Sequence, residues 1–355
     1  MPSPKASNHR IRMLVLAGGR SDEHEVSIVS TRSLLEALEG STIEATAVVI
    51  TREGRWLSGP GSRQALSDGK ATSGGELALH RARVAEEFDV VFPLLHGPYG
   101  EDGTVQGMLE LADLPYVGSG VLSSSLCMDK PMAKDVLRTH GIPQVGYALI
   151  TRRDVEQDAD AAIARCSELA APWFVKPANL GSSVGITRVC DAGALHQAIE
   201  VALQYDRRVI VEASAVDARE LEVAILGNDD VRASPVGEIT YASDFYDYDT
   251  KYTEGCADLH IPADIPDDVS KRIQELAIRA FGILDCAGFA RVDFFYQPSV
   301  GTILLNEVNT IPGFTPFSMF TKLWEAGGLA YAELVHRLVD LAIERHRERQ
   351  RPVRR

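Results

Sequence analysis

Near the C-terminus, two apolar runs carry acids and amides where a buried strand would carry only hydrocarbon. Ile303-Leu304-Leu305 runs on into Asn306, Glu307, Val308 and Asn309, ahead of Pro312-Gly313. Just upstream, ARVDFFY (Ala290 to Tyr296) holds Arg291 and Asp293. Residues two apart on a strand share a face, so Glu307 goes with Asn309 and Arg291 with Asp293. The short link QPSVGT predicts an antiparallel hairpin. With its turn centred on Ser299-Val300, Asp293 falls opposite or diagonal to Glu307, a register open to a one-residue slip. Two carboxylates held close together repel unless a cation lies between them. Oxygen donors that include an amide suit Mg²⁺, which keeps waters and takes phosphate oxygens. The alternative is a pair of acids pointing into solvent at a sheet edge, and the apolar neighbours argue against it.

A site of this kind calls for phosphate. FVKPANLGSSVG (Phe174 to Gly185) places small residues where backbone N–H groups can face phosphate oxygens, with Lys176 on the strand before it. No GK[ST] follows the glycines, so the loop is not a Walker A motif. A second lysine, Lys130, lies in CMDKPMAKDVL on a predicted helix; taken alone it reads as a surface lysine.

The elements that must position these groups alternate between strand and helix, which implies an α/β fold with a parallel sheet at the start of the chain. Ile11 to Ala17 reads as a buried strand, followed by a helical pattern through Val26, Ile28, Val29, Leu34, Leu35 and Leu38. Thr42 to Ile50 and Val90 to Leu95 are further strands. Gly59 to Gly75, rich in Gly and Ser, reads as a loop or edge insertion. A second unit follows: a helix Leu122 to His140, a strand Trp173 to Lys176, a helix Asp191 to Gln204 and a strand Arg208 to Glu212. The third holds strands Glu220 to Leu226, Ala290 to Tyr296 and Thr302 to Val308, a helix Asp267 to Leu284, a polar stretch Tyr241 to Ala257 and a closing helix Gly327 to Arg347. The expected units are 1–118, 119–215 and 216–355.

With 355 residues, two or three domains are expected. The net charge of −14 argues against nucleic acid as a partner. The basic run RHRERQRPVRR reads as a solvated helix end and tail. Five cysteines without metal-ligand spacing read as reduced thiols of a cytoplasmic protein. The polar start MPSPKASNHR predicts a disordered tail rather than a signal peptide, and no run is apolar enough to span a membrane.

Six motifs in order resemble the ATP-grasp superfamily and, within it, the D-alanine–D-alanine ligase family: HGPYGEDGTVQG, MDK, VKPANLGSSVG, FYDYDTKY, GFARVDFF and NEVNTIPGFTPFS. The resemblance covers Leu14 to about Leu341. It implies ATP held between two sheets. Lys130 and Lys176 would lie on its phosphates with Ser183 beside them, Glu212, Ala213 and Ala215 near the adenine, and Glu220 on the ribose. Asp293, Glu307 and Asn309 would be ligands of two Mg²⁺ ions, with Mn²⁺ as a substitute and Glu307 bridging. On the amino-acid side it implies Glu25 on the ammonium of a first D-alanine, with Ser182 linking it to Tyr252. Lys251 would be a lid lysine reaching the γ-phosphate, His96 a substrate contact, Arg291 and the Gly313 amide an oxyanion hole, and Ser318 and Met319 the receivers of a second D-alanine's carboxylate. Tyr241–Ala257 would be the lid, and the assembly a cytoplasmic homodimer.

The implied reaction is formation of D-alanyl-D-alanine through a D-alanyl phosphate, for peptidoglycan precursors. D-alanine–D-lactate and D-alanine–D-serine ligases share the frame. The Lys251-Tyr252 pair favours the dipeptide, because relatives that form depsipeptides commonly replace this tyrosine. A dinucleotide-dependent oxidoreductase is disfavoured, since LAGGRSDEH lacks GxGxxG. A non-catalytic nucleotide-binding regulator should have lost one of Arg291, Asp293, Glu307 or Asn309, and all four are present.

Overall fold

The structure is a computed structural model that describes residues 10–57, 59–69, 84, 86–181, 184–241 and 257–350. Ser182, Ser183, Lys251 and Tyr252, most of the expected lid, residues 70–75 of the Gly/Ser segment and both chain ends lie outside the described residues.

The first sheet is parallel, in the order β2-β1-β3, from β1 (Ile11–Gly18), β2 (Ile43–Ile50) and β3 (Val90–Pro93). Met13 to Gly18 are all buried, as expected of a strand with neighbours on both edges and helices over its faces. Helix α1 (His24–Ala37) buries Ile28 and Leu34. The segment expected as a loop is in its described part a helix, α2 (Gly59–Asp68). Composition misleads here: Gly61, Ser62 and Ala65 are buried, and the Ser62 hydroxyl accepts from Val49 N at 3.0 Å and donates to Leu57 O at 3.0 Å. Packing on β2 therefore outweighs the weak helix propensity of these residues. Helix α3 (Thr104–Leu111) closes this part.

The expected helix Leu122 to His140 is two helices, α4 (Val121–Met128) and α5 (Lys130–Thr139), which part at Asp129. Asp129 takes an extended conformation and its side chain accepts from Met132 N, while Pro131 occupies the first turn, where its missing N–H is not needed. The break places Lys130 at a helix start, and its backbone N–H donates to Ala178 O at 3.1 Å. A four-stranded antiparallel sheet follows, ordered β4-β7-β5-β6: β4 (Tyr147–Thr151), β5 (Trp173–Pro177), β6 (Thr187–Val189) and β7 (Arg208–Ala213). Helices α6 (Arg152–Ala164) and α7 (Leu195–Ala202) cover it; α7 is shorter than expected because its first residues form a 3₁₀ turn.

The third sheet is antiparallel, ordered β11-β10-β8-β12-β13, with the short β9 (Arg232–Ala233) on β8. Its strands are β8 (Arg219–Gly227), β10 (Gly237–Tyr241), β11 (Ala257–His260), β12 (Gly288–Gln297) and β13 (Thr302–Asn309). One face, with Leu221, Val223, Val292 and Phe294, packs on α8 (Asp267–Ile283). The opposite face is apolar at one end and charged at the other. The chain closes with α9 (Met319–Ala326) and α10 (Tyr331–Arg349). The closing helix thus starts at Tyr331 rather than Gly327, after a turn in which Gly328 has a φ of +86°.

The apolar end of the third sheet and the first sheet share one core. Phe92 on β3 meets Phe289 on β12 edge-on at 6.1 Å between ring centres, and Phe314 at 5.4 Å. Phe320, Leu334, Val335 and Leu338 complete the cluster. The first sheet is therefore fixed against the third by hydrocarbon, and the ends of β1 and β3 open towards the charged end of the third sheet. Replacing Phe289 with Ala is expected to lower stability by about 3–5 kcal/mol, read as a shift of the denaturant midpoint.

Candidate functional site

The turn between β12 and β13 centres where the sequence places it, since Gln297 pairs with Thr302. Continued unbroken, that register would set Asp293 opposite Asn306. A bulge between Asp293 and Phe294 takes up Asn306, so Asp293 faces Glu307 and Arg291 faces Asn309. On its other edge β12 pairs with β8, and there Asp293 faces Glu222. Cross-strand partners share a face, so Glu222, Asp293 and Glu307 form a row across three strands. Arg291 neutralises part of it. Its Nε and Nη2 donate to the two Asp293 oxygens at 2.7 Å each, and Nε lies 3.0 Å from Glu222 Oε2. Burial alone would lower the guanidinium pKa; Asp293 and Glu222 outweigh that and drive it well above its ordinary value. Asn309 Nδ2 donates to Asp293 Oδ2 at 2.9 Å.

Asp293, Glu307 and Asn309 fit a divalent cation. Two carboxylates and an amide converge, and a protein cation already lies among them. Among the described residues no three His, Cys, Asp or Glu side chains are grouped to hold a metal by themselves. A donor set this small leaves coordination positions to water and phosphate, as Mg²⁺ prefers.

The row borders a cleft of about 620 Å³ reached by all three sheets. The cleft is lined by His96, Lys130, Lys176, Glu212, Ala213, Ala215, Glu220, Arg291, Glu307, Asn309, Gly313, Ser318 and Met319, so the structure gathers these expected site residues in one place. Asp293 sits behind the wall, next to Arg291. Across the cleft, Lys130 Nζ donates to Leu180 O at 2.5 Å and is held against the loop after β5. Glu212 at the end of β7 is gripped by two ammoniums, Lys176 at 2.6 Å and Lys134 at 2.8 Å. Burial would raise the Glu212 carboxyl; Lys134 and Lys176 overcome it and hold the group at about 2. The Thr315 amide and hydroxyl bond Ser318 Oγ at 3.1 and 2.9 Å, beside the N-terminus of α9.

Glu25 is not among the cleft-lining residues. It is exposed and pairs with Arg52 at 2.5 Å, as a first-turn acid on a helix surface does. The acid that faces the cleft is Glu23, at the N-cap of α1. Residues two apart on a helix point nearly opposite ways, so only one of these acids can face inwards. A Cβ on Gly97 would come within 2.9 Å of Glu23 Oε2, and the φ of Gly97 is +70°, so glycine there lets the carboxylate approach.

Three more residues escaped the sequence reading. Glu222 lies two positions after Glu220 in ELE, the period-two signal read in the other strands. Lys134 lies one helical turn after Lys130. Glu101, from the HGPYGEDG run, accepts from Gly97 N at 2.8 Å and Ile311 N at 3.0 Å. Burial, and next the charge of Glu23, push its carboxyl up to about 8. His96 Nδ1 bonds Ile311 O at 2.9 Å, which in the neutral ring leaves Nε2 as the acceptor, and burial lowers the imidazole pKa.

The Lys134–Glu212–Lys176 group carries a stability prediction. Glu212→Gln leaves two buried ammoniums without their shared carboxylate and should lower stability by about 3 kcal/mol or more at neutral pH. The folded pKa of Glu212 lies below its unfolded value, so its contribution is full above 4.5 and vanishes as pH falls towards about 2. The gap between wild type and variant in denaturant unfolding should therefore narrow over that window.

Comparison with known proteins agrees with this geometry. Family models described as the D-ala D-ala ligase N-terminus and C-terminus match residues 12–119 and 136–340. A D-alanine–D-alanine ligase of Deinococcus radiodurans is 58% identical over 94% of this chain and 98% of its own length. One from Chloroherpeton thalassium is 43% identical over 96% of this chain and 98% of its own. Among solved structures, the VanG D-Ala:D-Ser ligase of Enterococcus faecalis superposes with a TM-score of 0.83 at 36% identity, covering 94% of this chain and 99% of that one. The D-alanine–D-alanine ligase of Coxiella burnetii superposes with a TM-score of 0.81 at 36% identity, covering 96% of each chain. The architecture is thus the α/β ATP-grasp fold that the motifs implied. With both halves matched in order and the charged hairpin set against the lysine-bearing sheet, the chain belongs to the D-alanine–D-alanine ligase family.

Proposed function

We propose that this chain joins two D-alanine molecules into D-alanyl-D-alanine, driven by ATP, for peptidoglycan precursor synthesis. The observation that carries the reading is the pairing, in one cleft, of an acid-rich hairpin with a lysine-bearing sheet. A carboxylate is a poor electrophile and must be activated before an amine will attack it. The first D-alanine's carboxylate attacks the γ-phosphorus of ATP, releasing ADP and leaving an acyl phosphate. The second D-alanine's amine then attacks the acyl carbon, and phosphate departs.

Each residue has a part in this scheme. Glu23, in the role the sequence suggested for Glu25, holds the first ammonium beside His96. Lys130 and Lys176 offset triphosphate charge, with Ser183 on the same loop and Lys251 reaching the γ-phosphate from the lid. Glu212, pinned by its two lysines, presents a carboxylate towards the adenine edge, with backbone groups of Ala213 and Ala215; Glu220 accepts from the ribose. Arg291 and the Gly313 amide hold the charge that develops on the acyl oxygen. Ser318 and the Met319 amide at the start of α9 receive the second carboxylate, where a helix N-terminus favours an anion. Ser182 and Tyr252 link Glu23 to the lid, which keeps water from the acyl phosphate. Asp293, Glu307 and Asn309 would hold the divalent cation, two Mg²⁺ ions or Mn²⁺ in their place. Bound divalent cation offsets phosphoryl charge.

The D-Ala:D-Ser specificity of one structural relative keeps D-serine, and with it D-lactate, as alternative second substrates. The dipeptide is favoured by the two curated relatives at 58% and 43% identity and by Lys251-Tyr252. A cytoplasmic setting is supported by the free thiols of Cys127, Cys166, Cys190 and Cys286. A homodimer is supported by Met108, Leu111 and Leu122, exposed on α3 and α4; sedimentation velocity should give twice the chain mass, and a monomer would refute it.

Phosphate release with ATP and Mg²⁺ should require D-alanine and fail with L-alanine. With D-alanine alone the product should be the dipeptide, and added D-serine or D-lactate should not displace it. Glu23→Gln should lower kcat/KM for D-alanine about a hundredfold, and Glu25→Gln less than about threefold. The reverse ranking would return the ammonium to Glu25.

A further inference from the structure

The guanidinium of Arg291 stands where a divalent cation has to come. It engages both oxygens of Asp293, and Asn309 Nδ2 adds a further bond to one of them. For Asp293 to offer a lone pair to a metal, the guanidinium must release at least one oxygen. A guanidinium that is only 20% exposed loses stability on giving up its carboxylate unless another is at hand. Glu222 is at hand. It is 6% exposed, it faces Asp293 across the strands on the side away from Glu307, and its Oε2 already lies 3.0 Å from Arg291 Nε.

We propose that Glu222 is a positioning residue that retains Arg291 when Asp293 turns to the metal, so that the guanidinium stays in the cleft wall and does not compete with the cation. This rests on Asp293 being a metal ligand. The exchange breaks no covalent bond and moves no proton. One carboxylate replaces another as the partner of Arg291, and Asp293 changes from ion-pair partner to ligand. The same arrangement keeps Arg291 opposite Asn309, in the cleft that Gly313 also lines.

The test is Mn²⁺ binding in the presence of ADP, read from the electron paramagnetic resonance signal of free Mn²⁺, on the full chain and five variants. Glu222→Gln should weaken Mn²⁺ binding about tenfold, the scale of one charge-assisted hydrogen bond. In an Arg291→Met background the same change should have less than about a twofold effect, because no guanidinium is left to retain. An unchanged affinity in Glu222→Gln overturns the proposal. So does an equal loss with and without Arg291, which would make Glu222 a direct contributor of charge. Glu222→Asp, which keeps the charge on a shorter arm, is read in the same way should Glu222→Gln not fold, with a loss of about threefold expected. If wild type and Asp293→Asn bind Mn²⁺ equally, the metal assignment of Asp293 fails first and the role of Glu222 falls with it.

Discussion

Three carboxylates in a row across adjacent strands are an unstable arrangement without cations, and the rest of the site is organised around that fact. Glu222, Asp293 and Glu307 share one face of β8, β12 and β13. Like charges directly opposite on a sheet destabilise it, and partial burial removes the water that would screen them. Arg291 answers part of this charge from within the chain. What remains is an excess of negative charge, which under the proposed function a divalent cation and its phosphates would offset. The opposite face of the same strands packs Leu221, Val223, Val292 and Phe294 against α8, and this anchors the charged face in position.

The sheet across the cleft carries the complementary problem. Two lysines, Lys134 and Lys176, converge on the single buried acid Glu212 and leave that group with a net positive charge. Lys130 adds another cation at the mouth of the loop. Under the proposed function, a triphosphate would turn its negative charge to the lysines and its metal to the carboxylates. The shared core of Phe92, Phe289, Phe314 and Phe320 ties the first sheet to this frame. It thereby brings Glu23 and His96 to the same cleft.

Much of this was legible in local pattern. The hairpin was readable because period-two polarity inside an apolar run needs no knowledge of the rest of the chain, and its turn lies where the spacing places it. Glu222 obeys the same rule in ELE and could have been read from it. The motif order pointed to the family because each motif is a contiguous cradle or ligand pair. The buried central strands were located for the same reason, since a buried strand announces itself by composition, whereas the short or half-buried β4, β6, β9, β10 and β11 were not read.

The remainder depended on contacts between distant segments. The bulge at Asn306, which turns Asp293 from Asn306 to Glu307, is a property of two paired strands and not of either alone. Lys134 looks like a surface lysine in KPMAKDVL until β7 brings Glu212 onto it. Gly59–Asp68 has the composition of a loop and becomes a helix only because small side chains let it lie on β2. The sequence by itself determined which residue types the site contains and which strands carry them, because side-chain alternation is local. Tertiary structure alone decided that Glu23 and not Glu25 faces the cleft, since the inward side of a helix start is set by what the helix packs against.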